Sequence, residues 1–146
     1  MAKPHVAISA KYQLEVVANF DALPAAMDQL SCWLEQRQAA PSAAYLSTLA
    51  LEEIVTNCIK YGYDDQAEHV IHVQVELSPD GMTIVVEDDG HPFNTLEQVE
   101  PDTNLPIEER PLGGLGLHLL RKLSDRMDYA WKNGRNQVTL HKKTQA

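Results

Sequence analysis

Two short runs of alternating apolar and polar residues, separated by a tight turn, constrain the fold of this chain more than any other feature. The first run extends from Val70 to Leu77 and the second from Met82 to Glu87. Between them, Ser78 to Gly81 reads Ser-Pro-Asp-Gly, which places proline and glycine where a hairpin turn needs them. A period of two on both sides of such a turn predicts a β-hairpin.

Two segments that precede this hairpin carry apolar residues at helical spacing. The first extends roughly from Leu23 to Gln38 and is ended by the Ala-Ala-Pro-Ser stretch at 39–42. The second extends from about Ser42 to Tyr61, and Gly62 is a reasonable stop signal after it. Its buried stripe would consist of Leu46, Leu49, Ala50, Ile54 and Cys58. Both segments are therefore predicted to be helices with one buried face.

The remaining segments complete a pattern of strands and helices. They are one or two edge strands within residues 5–17, a helix from about Gly114 to Ser124, and a closing hairpin of strands Tyr129–Lys132 and Gln137–His141 around Asn133–Gly134. Helices and antiparallel strands in this order predict an α+β fold, a two-layer α/β sandwich. The length of 146 residues suits one domain, so we expect a single domain over residues 1–146.

The stretch from Gly90 to Leu112 is rich in proline and carboxylates and has the character of a loop. A loop of this length inside a compact domain is usually either a functional lid or disordered. The residues of the loop leave both interpretations open.

The charge of the chain narrows the choice of partners. Its formal net charge is −9, so most of its surface would repel nucleic acid and anionic lipid and attract basic protein surfaces. No apolar run approaches the ~18 residues of a membrane-spanning helix, and residues 1–12 lack a secretory signal pattern. We therefore expect a cytoplasmic protein. Cys32 and Cys58 form no Cys-x-x-Cys motif and are predicted to be reduced, buried thiols.

The first of three polar motifs lies on the second predicted helix. Glu53 and Asn57 are four residues apart, so they share a helix face close to the buried stripe. Such groups at the edge of a core need polar partners, and a hydrated magnesium ion would supply one for the Asn57 oxygen. Glu53 could then accept a proton from water or a substrate hydroxyl. The alternative is a solvated face with Glu52, Glu53 and Asn57 all exposed.

The second motif ends the second strand of the hairpin and includes Asp88 and Gly90. An aspartate at a strand end can accept a hydrogen bond from an exocyclic amine, which would favour adenine over guanine. Gly90 would let the backbone approach a flat base closely. The alternative is a plain turn, because Asp-Gly after a strand is a common turn signal.

The third motif is Gly113-Gly114-Leu115-Gly116, which precedes the last predicted helix. Glycines at the start of a helix expose backbone amides and allow close approach to phosphates. The pattern is neither the dinucleotide fingerprint, because Leu119 replaces its third glycine, nor a P-loop, because no Gly-Lys-Ser/Thr follows. The alternative is a flexible hinge before an amphipathic helix.

Together, in this order, the three motifs resemble those of the anti-sigma-factor serine/threonine kinases, which have the GHKL (Bergerat) ATP-binding fold of histidine kinases. The likeness extends roughly from Leu14 to Lys142. Leu51–Tyr63 is similar to the N-box, Asp88–Phe93 to the adenine-binding Asp-x-Gly box, and Leu105–Leu117 to the lid and second glycine box. It implies a mixed, mostly antiparallel sheet covered on one face by about three helices, with a lid at about 94–113.

The resemblance also implies ATP and Mg²⁺ as cofactors and a role for each matching residue. Glu53 would be the catalytic base, and Asn57 would bind the magnesium ion that bridges the phosphates. Asp88 would bind the adenine amino group, with Gly90 beside the base. The phosphates would be bound by residues of the lid and the glycine box, namely Arg110, Gly113, Gly114, Leu115 and Gly116.

The function implied by the resemblance is an ATP-dependent kinase for a serine or threonine of an anti-sigma-factor antagonist. In the family such a kinase also binds a sigma factor, and homodimers are common. One residue departs from the family pattern, because Tyr61 stands where many members have a histidine, and tyrosine carries no positive charge near neutral pH. The alternatives are a non-catalytic module that binds a partner when ATP is bound, and a simple ATPase.

Overall fold

A computed structural model of the chain describes residues 9–97 and 115–144. In these ranges the main elements are β1 (Ala10–Val17), α1 (Leu23–Gln36), α2 (Pro41–Tyr61), β2 (Val70–Ser78), β3 (Gly81–Asp88), α3 (Leu115–Leu123), β4 (Arg126–Lys132) and β5 (Arg135–Lys143). Short 3-10 turns lie at Phe20–Ala22 and Thr95–Glu97. The predicted α+β class is confirmed, and none of the described helices has the length and apolar character of a membrane span.

The strands form one sheet in the order β1-β2-β3-β5-β4. Each of the four pairs within the described residues is antiparallel, in line with the mixed, mostly antiparallel sheet that the family resemblance implied. Alternate residues of β2 and β3 are buried, as a period of two requires when helices cover one face. The predicted two-layer sandwich is therefore present, with β3 and β5 in the interior of the sheet.

Both predicted hairpins are confirmed, and both are longer than predicted. Ser78 pairs with Gly81 at one turn, and Lys132 pairs with Arg135 at the other. In the second turn, Asn133 and Gly134 have φ values of 53° and 73°, the left-handed values of a type I′ turn. The strands extend beyond their apolar stretches because ladder hydrogen bonds continue to the turns.

Helix α2 crosses the interior of the molecule. Its buried residues occupy more than one side of the helix because it packs against α1, α3 and the sheet together. Proline at its first residue suits a helix start, where the backbone N–H has no helical partner. The buried apolar residues of α2 are Ala43, Leu46, Ala50, Leu51, Ile54, Val55 and Cys58. Leu49, predicted to line this stripe, is only partly buried.

Helix α1 ends at Gln36, two residues earlier than predicted. Gln38 has a φ of 55°, and the Ala39 amide donates to the carbonyl of Leu34 over 3.0 Å. A left-handed residue followed by such a bond is a common way to end a helix. This helix end is hard to predict from the sequence, because glutamine is not a typical residue at a left-handed position after a helix.

The prediction of two buried thiols is right for Cys58 and wrong for Cys32. Both are free, but Cys32 is exposed. The buried face of α1 is made by Ala26, Leu30, Trp33 and Leu34. Residue 32 lies to the side of that stripe, so its thiol points away from the core.

The N-terminal part of the chain contributes one edge strand, β1, which pairs with β2. Residues 1–8 and 98–114 lie outside the described ranges, as do parts of the predicted N-terminal strand region and most of the predicted loop. The assignment of residues 1–146 to one domain stays a prediction.

The packing of α2 predicts a large difference between two adjacent residues. Leu51 is fully buried and Glu52 is exposed. Leu51→Ala should lower the free energy of unfolding by about 2–5 kcal/mol through lost burial and a cavity. Glu52→Ala should change it by less than about 0.5 kcal/mol. Urea unfolding measures both, and equal midpoints for the two variants would contradict the described packing.

Candidate functional site

Asn57 is held inside the protein by a hydrogen bond to the segment that follows β3. Its side-chain amide nitrogen donates to the hydroxyl of Thr95 over 2.7 Å, and the two residues are 4% and 3% exposed. The alternative of a solvated face is therefore wrong for Asn57, although Glu52 is exposed and Glu53 is half-buried. Because the nitrogen of Asn57 is used by Thr95, the amide oxygen is the atom with which this residue would bind a metal ion.

Asp88 is a buried carboxylate with three hydrogen-bond donors. It is 6% exposed. Its Oδ1 accepts from the Gly90 amide over 2.9 Å and from Asn136 Nδ2 over 3.0 Å, and its Oδ2 accepts from Cys58 Sγ over 3.2 Å. The bond to Gly90 forms the turn that the simpler interpretation of this motif anticipated. The other two bonds fix the carboxylate against α2 and β5.

The thiol of Cys58 is a donor to this carboxylate because it stays protonated. Burial, together with the negative charge of Asp88, raises the pKa of Cys58 well above its ordinary value. At neutral pH the S–H proton is therefore present to be donated to Asp88 Oδ2. Since Cys58 follows Asn57 directly, α2 is tied to the end of β3 at the same point as the predicted metal ligand.

Glycine is required at residue 90 because the backbone there approaches the backbone of Gly62 closely. A Cβ at residue 90 would overlap the carbonyl oxygen of Gly62, to which the His91 amide donates over 3.0 Å. Gly62 ends α2, so this contact ties the turn after β3 to the end of that helix. The structure thus gives a reason for glycine here that differs from the predicted approach to a flat base.

Glu53 lies against the start of α3. A Cβ at residue 116 would overlap the Glu53 carboxylate, so the lack of a side chain at Gly116 makes room for it. The first and third motifs are therefore neighbours in space, with Leu115 as the first residue of α3. Of the other predicted phosphate-binding residues, Arg110, Gly113 and Gly114 lie outside the described residues.

Asn136 is a site residue that was missed in the sequence analysis. It is 2% exposed, pairs with Asp88 across the β3–β5 ladder, and bonds to the Asp88 carboxylate. Its position in the alternating pattern of β5 could have identified it, because residue 136 shares the inward face of β5 with Val138 and Leu140. A polar residue at an inward position needs a buried partner. Thr95 was missed as well, and its sequence context carried no comparable signal.

The segment 91–97, which we call the strap, is anchored by several elements. The His91 carbonyl accepts from Asn136 Nδ2 over 2.8 Å, and the Phe93 amide donates to Asn136 Oδ1 over 2.8 Å. Further along, Thr95 bonds to Asn57, and the Leu96 carbonyl accepts from Arg121 of α3. The strap begins within the second motif and joins β5, α2 and α3.

Tyr61 lies at the rim of this region. Its side chain is 43% exposed, and its ring centroid is 6.1 Å from that of Phe93 in the strap. The residue that departs from the family pattern is thus close to the motif residues and accessible to solvent.

A cluster of titratable groups adjoins the second motif at Asp89, the residue that follows Asp88. The Nε2 atom of His69 is 2.7 Å from Asp65 Oδ1, its Nδ1 atom is 3.1 Å from Asp89 Oδ1, and its ring stacks on Tyr63. The hydrogen bond with Asp65 raises the pKa of His69 and lowers that of Asp65, and Asp89 adds to the rise. A protonated imidazole here would donate to both carboxylates and connect residues 64–69 to the motif.

A separate trough of about 780 Å³ lies on the other face of the sheet. The described residues that line it come from β1, β2, β3 and β5, and they include Glu15, His72, Glu87 and Arg135. These side chains carry charges of both signs, and Glu53, Asn57 and Asp88 are not among them. We therefore place the candidate site on the helical side, where the motif residues meet.

Comparison with known protein families identifies the family of this domain. A profile of the histidine kinase-like ATPase domain matches residues 16–142, which is most of the chain. The chain belongs to this family. The matched region contains all of the motif residues described above.

Curated proteins similar to this histidine kinase-like ATPase domain include anti-sigma F factors and a serine-protein kinase. An anti-sigma F factor of Clostridium novyi is 33% identical over 98 residues, which are 64% of this chain and 66% of that protein. An anti-sigma F factor of Clostridium perfringens is 26% identical over 91% of this chain and 96% of its own length. A serine-protein kinase RsbW of Bacillus mycoides is 37% identical over 81 residues, 53% of this chain and 50% of the kinase.

A solved structure shares the fold of this ATPase domain. The RsbU and RsbW domains of a Mycobacterium tuberculosis protein align with a TM-score of 0.61 and 16% identity. The alignment covers 91% of this chain and 31% of the other. At this identity the likeness concerns the fold alone.

The His69 cluster predicts a pH dependence of stability. Because the folded state raises the pKa of His69, its contribution is fully present below the pKa of an unfolded histidine, about 6.5, and is lost as pH rises through the folded value. The lowered pKa of Asp65 acts at the acidic end, where its contribution is lost as pH falls below about 3.9. The stability difference between wild type and His69→Gln should therefore be largest between about pH 4 and 6.5.

NMR titration of the His69 ring checks the cause of this shift. Asp65→Asn should lower the pKa of His69, because the main partner loses its charge. Asp64→Asn is the matched control, since Asp64 bonds to His91 instead. An unchanged His69 titration in Asp65→Asn would contradict the assigned pair.

Proposed function

We propose that this chain is an ATP-binding anti-sigma regulatory factor that phosphorylates a serine or threonine of an anti-sigma-factor antagonist. The observation that carries the proposal is the buried carboxylate of Asp88, which is hydrogen-bonded on both oxygens and accepts from Cys58, the residue that follows Asn57 on α2. The names of the relatives, anti-sigma F factor and serine-protein kinase RsbW, support the same function.

Asp88 would select the base of the nucleotide. An ionised carboxylate only accepts hydrogen bonds, so it suits the exocyclic amine of adenine and disfavours the carbonyl of guanine. Its Oδ1 already accepts from two donors of the protein, whereas its Oδ2 accepts from the Cys58 thiol. A carboxylate oxygen has room for a second donor. We therefore assign Asp88 Oδ2 as the acceptor for the adenine amine.

Asn57 would supply an oxygen ligand to Mg²⁺, which when bound neutralises phosphate charge during transfer. The residues present fit this ion, because Thr95 holds the amide nitrogen and so leaves the oxygen as the atom that would bind a metal ion. Phosphate contacts from Arg110, Gly113, Gly114, Leu115 and Gly116 are proposed from the family pattern. The contact between Gly116 and Glu53 supports a close fit of the glycine box to α2.

Glu53 would act as the general base for the attacking hydroxyl. It is one turn before Asn57 on the same face of α2, so a base and a metal ligand are one helical turn apart. Phosphoryl transfer depends mainly on positioning and electrostatic stabilisation, and the base only needs to accept the hydroxyl proton. A half-buried carboxylate supported by the start of α3 is suited to this task.

The partners follow from the same proposal. The phosphoacceptor would be an anti-sigma-factor antagonist, and the chain would also bind a sigma factor in the cytoplasm, with a homodimer as its assembly. The net charge of −9 supports partners with basic surfaces and disfavours nucleic acid and membranes.

A second candidate function is a non-catalytic module whose partner binding depends on ATP. Tyr61 favours it, because an exposed tyrosine replaces the histidine common in the family and brings no positive charge near the phosphates. This candidate requires the same nucleotide site but no transfer.

Substitution of Glu53 separates the two candidates. Glu53→Gln should lower phosphoryl transfer to a purified antagonist by a factor of about 10² or more while leaving Mg-ATP affinity within about threefold, because a glutamine cannot accept the proton. Time-resolved intact mass of the antagonist measures the transfer. Glu52→Gln, on the exposed side of the same helix turn, is the matched control and should be fully active.

Three results would change the assignment. Transfer by Glu53→Gln at the wild-type rate would remove Glu53 as the base. Nucleotide-dependent antagonist binding by the wild type without any transfer would favour the non-catalytic module, and phosphate release without an acceptor would indicate a simple ATPase.

A further inference from the structure

We propose that Asn136 is the positioning residue that orients Asp88 toward adenine and couples it to the strap. The inference deepens the proposed function and rests on it, because it concerns the same nucleotide site. None of the three sequence motifs includes Asn136, which lies on β5, 48 residues after Asp88.

The side chain of Asn136 makes all four hydrogen bonds that an amide can make. Its Nδ2 donates to Asp88 Oδ1 over 3.0 Å and to the His91 carbonyl over 2.8 Å. Its Oδ1 accepts from the Phe93 amide over 2.8 Å and from the Tyr129 hydroxyl over 2.5 Å. A backbone amide only donates and a carbonyl only accepts, so these partners fix which end of the amide is which.

This arrangement determines which oxygen of Asp88 faces the ligand. Asn136 and the Gly90 amide both donate to Oδ1, so that oxygen is turned toward β5 and the turn. The other oxygen, Oδ2, is turned toward α2 and Cys58. Without Asn136 the carboxylate would lose a bond that holds its plane, and a rotated carboxylate would present a poorer acceptor to an adenine amine.

Asn136 also links the base site to the magnesium ligand. The two strap residues bonded to Asn136, His91 and Phe93, lead along the chain to Thr95, which holds the amide of Asn57. A shift of Asn136 would therefore move both the acceptor for the base and the support of the metal ligand. The inference is that these two parts of the site share one hydrogen-bonding centre.

Packing alone does not account for an amide at this position. Residue 136 is in phase with Val138 and Leu140 and is as buried as they are. An apolar side chain would fit that face, whereas a buried amide is costly unless its bonds are satisfied. Three of the four bonds of Asn136 are to Asp88 and the strap, which points to a role in positioning.

The test uses Asn136→Asp, which keeps the shape and replaces the donor nitrogen by an acceptor oxygen. The new carboxylate would face Asp88 Oδ1 and the His91 carbonyl, and two carboxylates this close favour sharing one proton. At about pH 8, Mg-ADP affinity should fall at least about tenfold, and part of the loss should be recovered near about pH 5.5. Calorimetry of wild type and variant at both pH values gives the comparison.

Three titratable groups packed around Asp88 do not account for a change between about pH 5.5 and 8, so such a change would come from the pair formed by Asp88 and the new aspartate at residue 136. Cys58 from α2, Tyr63 after α2, and Tyr129 from β4 face Asp88, and the pKa of each is raised, chiefly by burial. The nearby histidines are present in both proteins, so the wild-type profile corrects for them. Val138→Ala is the structural control. It should lower the free energy of unfolding, but its Mg-ADP affinity should vary with pH as that of the wild type does.

A second measurement needs no nucleotide and remains informative if Asn136→Asp is too unstable for calorimetry. In urea unfolding at pH 8, Asn136→Asp should lower the midpoint less in an Asp88→Asn background than in the wild type, because one of the facing charges has been removed. This coupling is a property of the pair, and loss of packing at residue 136 alone would not produce it.

The outcomes distinguish a failure of the proposed role of Asn136 from a failure of the proposed function. Coupling together with a pH-dependent loss of Mg-ADP affinity supports the role of Asn136. The role of Asn136 is overturned if the wild type binds Mg-ADP and Asn136→Asp binds it with the same affinity at both pH values. It is also overturned if the unfolding midpoints are additive. Either result leaves the proposed function standing. Absence of nucleotide binding by the wild type overturns the proposed function itself.

Discussion

A buried carboxylate at the end of a central strand is the constraint around which the rest of the molecule is arranged. Asp88 is 6% exposed, and a carboxyl group so far from water requires several hydrogen-bond partners to compensate for lost hydration. The donors come from three elements: the Cys58 thiol of α2, the Gly90 amide of the following turn, and the Asn136 amide of β5. Each element must therefore hold a defined register relative to β3.

That register places the rest of the candidate site. Once Cys58 is fixed against Asp88, the preceding residue Asn57 is fixed as well, and Glu53 follows one helical turn earlier. The start of α3 approaches Glu53 closely because residue 116 has no side chain. Helix α2 thus carries the contact to the Asp88 carboxylate, the metal-ligand candidate Asn57 and the candidate proton acceptor Glu53, so the site depends strongly on the packing of α2.

The sequence predicts those parts of this arrangement that depend on local patterns. Alternation and turn residues predict both hairpins, and helical spacing predicts α2 with Glu53 and Asn57 on one face. The bonds of Asn136 and Thr95 are contacts between segments far apart in the chain, and a local pattern does not specify them. The exposure of Cys32 was missed for a related reason, because the width of a buried stripe depends on what packs against the helix. Helix ends set by a left-handed residue such as Gln38 are equally hard to predict.

The central claim is that Asp88 is the base-selecting group of an adenine nucleotide site, and calorimetric titration tests it most directly. The wild type should bind Mg-ATP and Mg-ADP and bind Mg-GTP at least about tenfold more weakly. Asp88→Asn, which keeps the size of the side chain and places a donor beside the base, should lose most of the adenine affinity while remaining folded. Equal affinity of the wild type for ATP and GTP, or undiminished ATP binding by Asp88→Asn, would contradict the account.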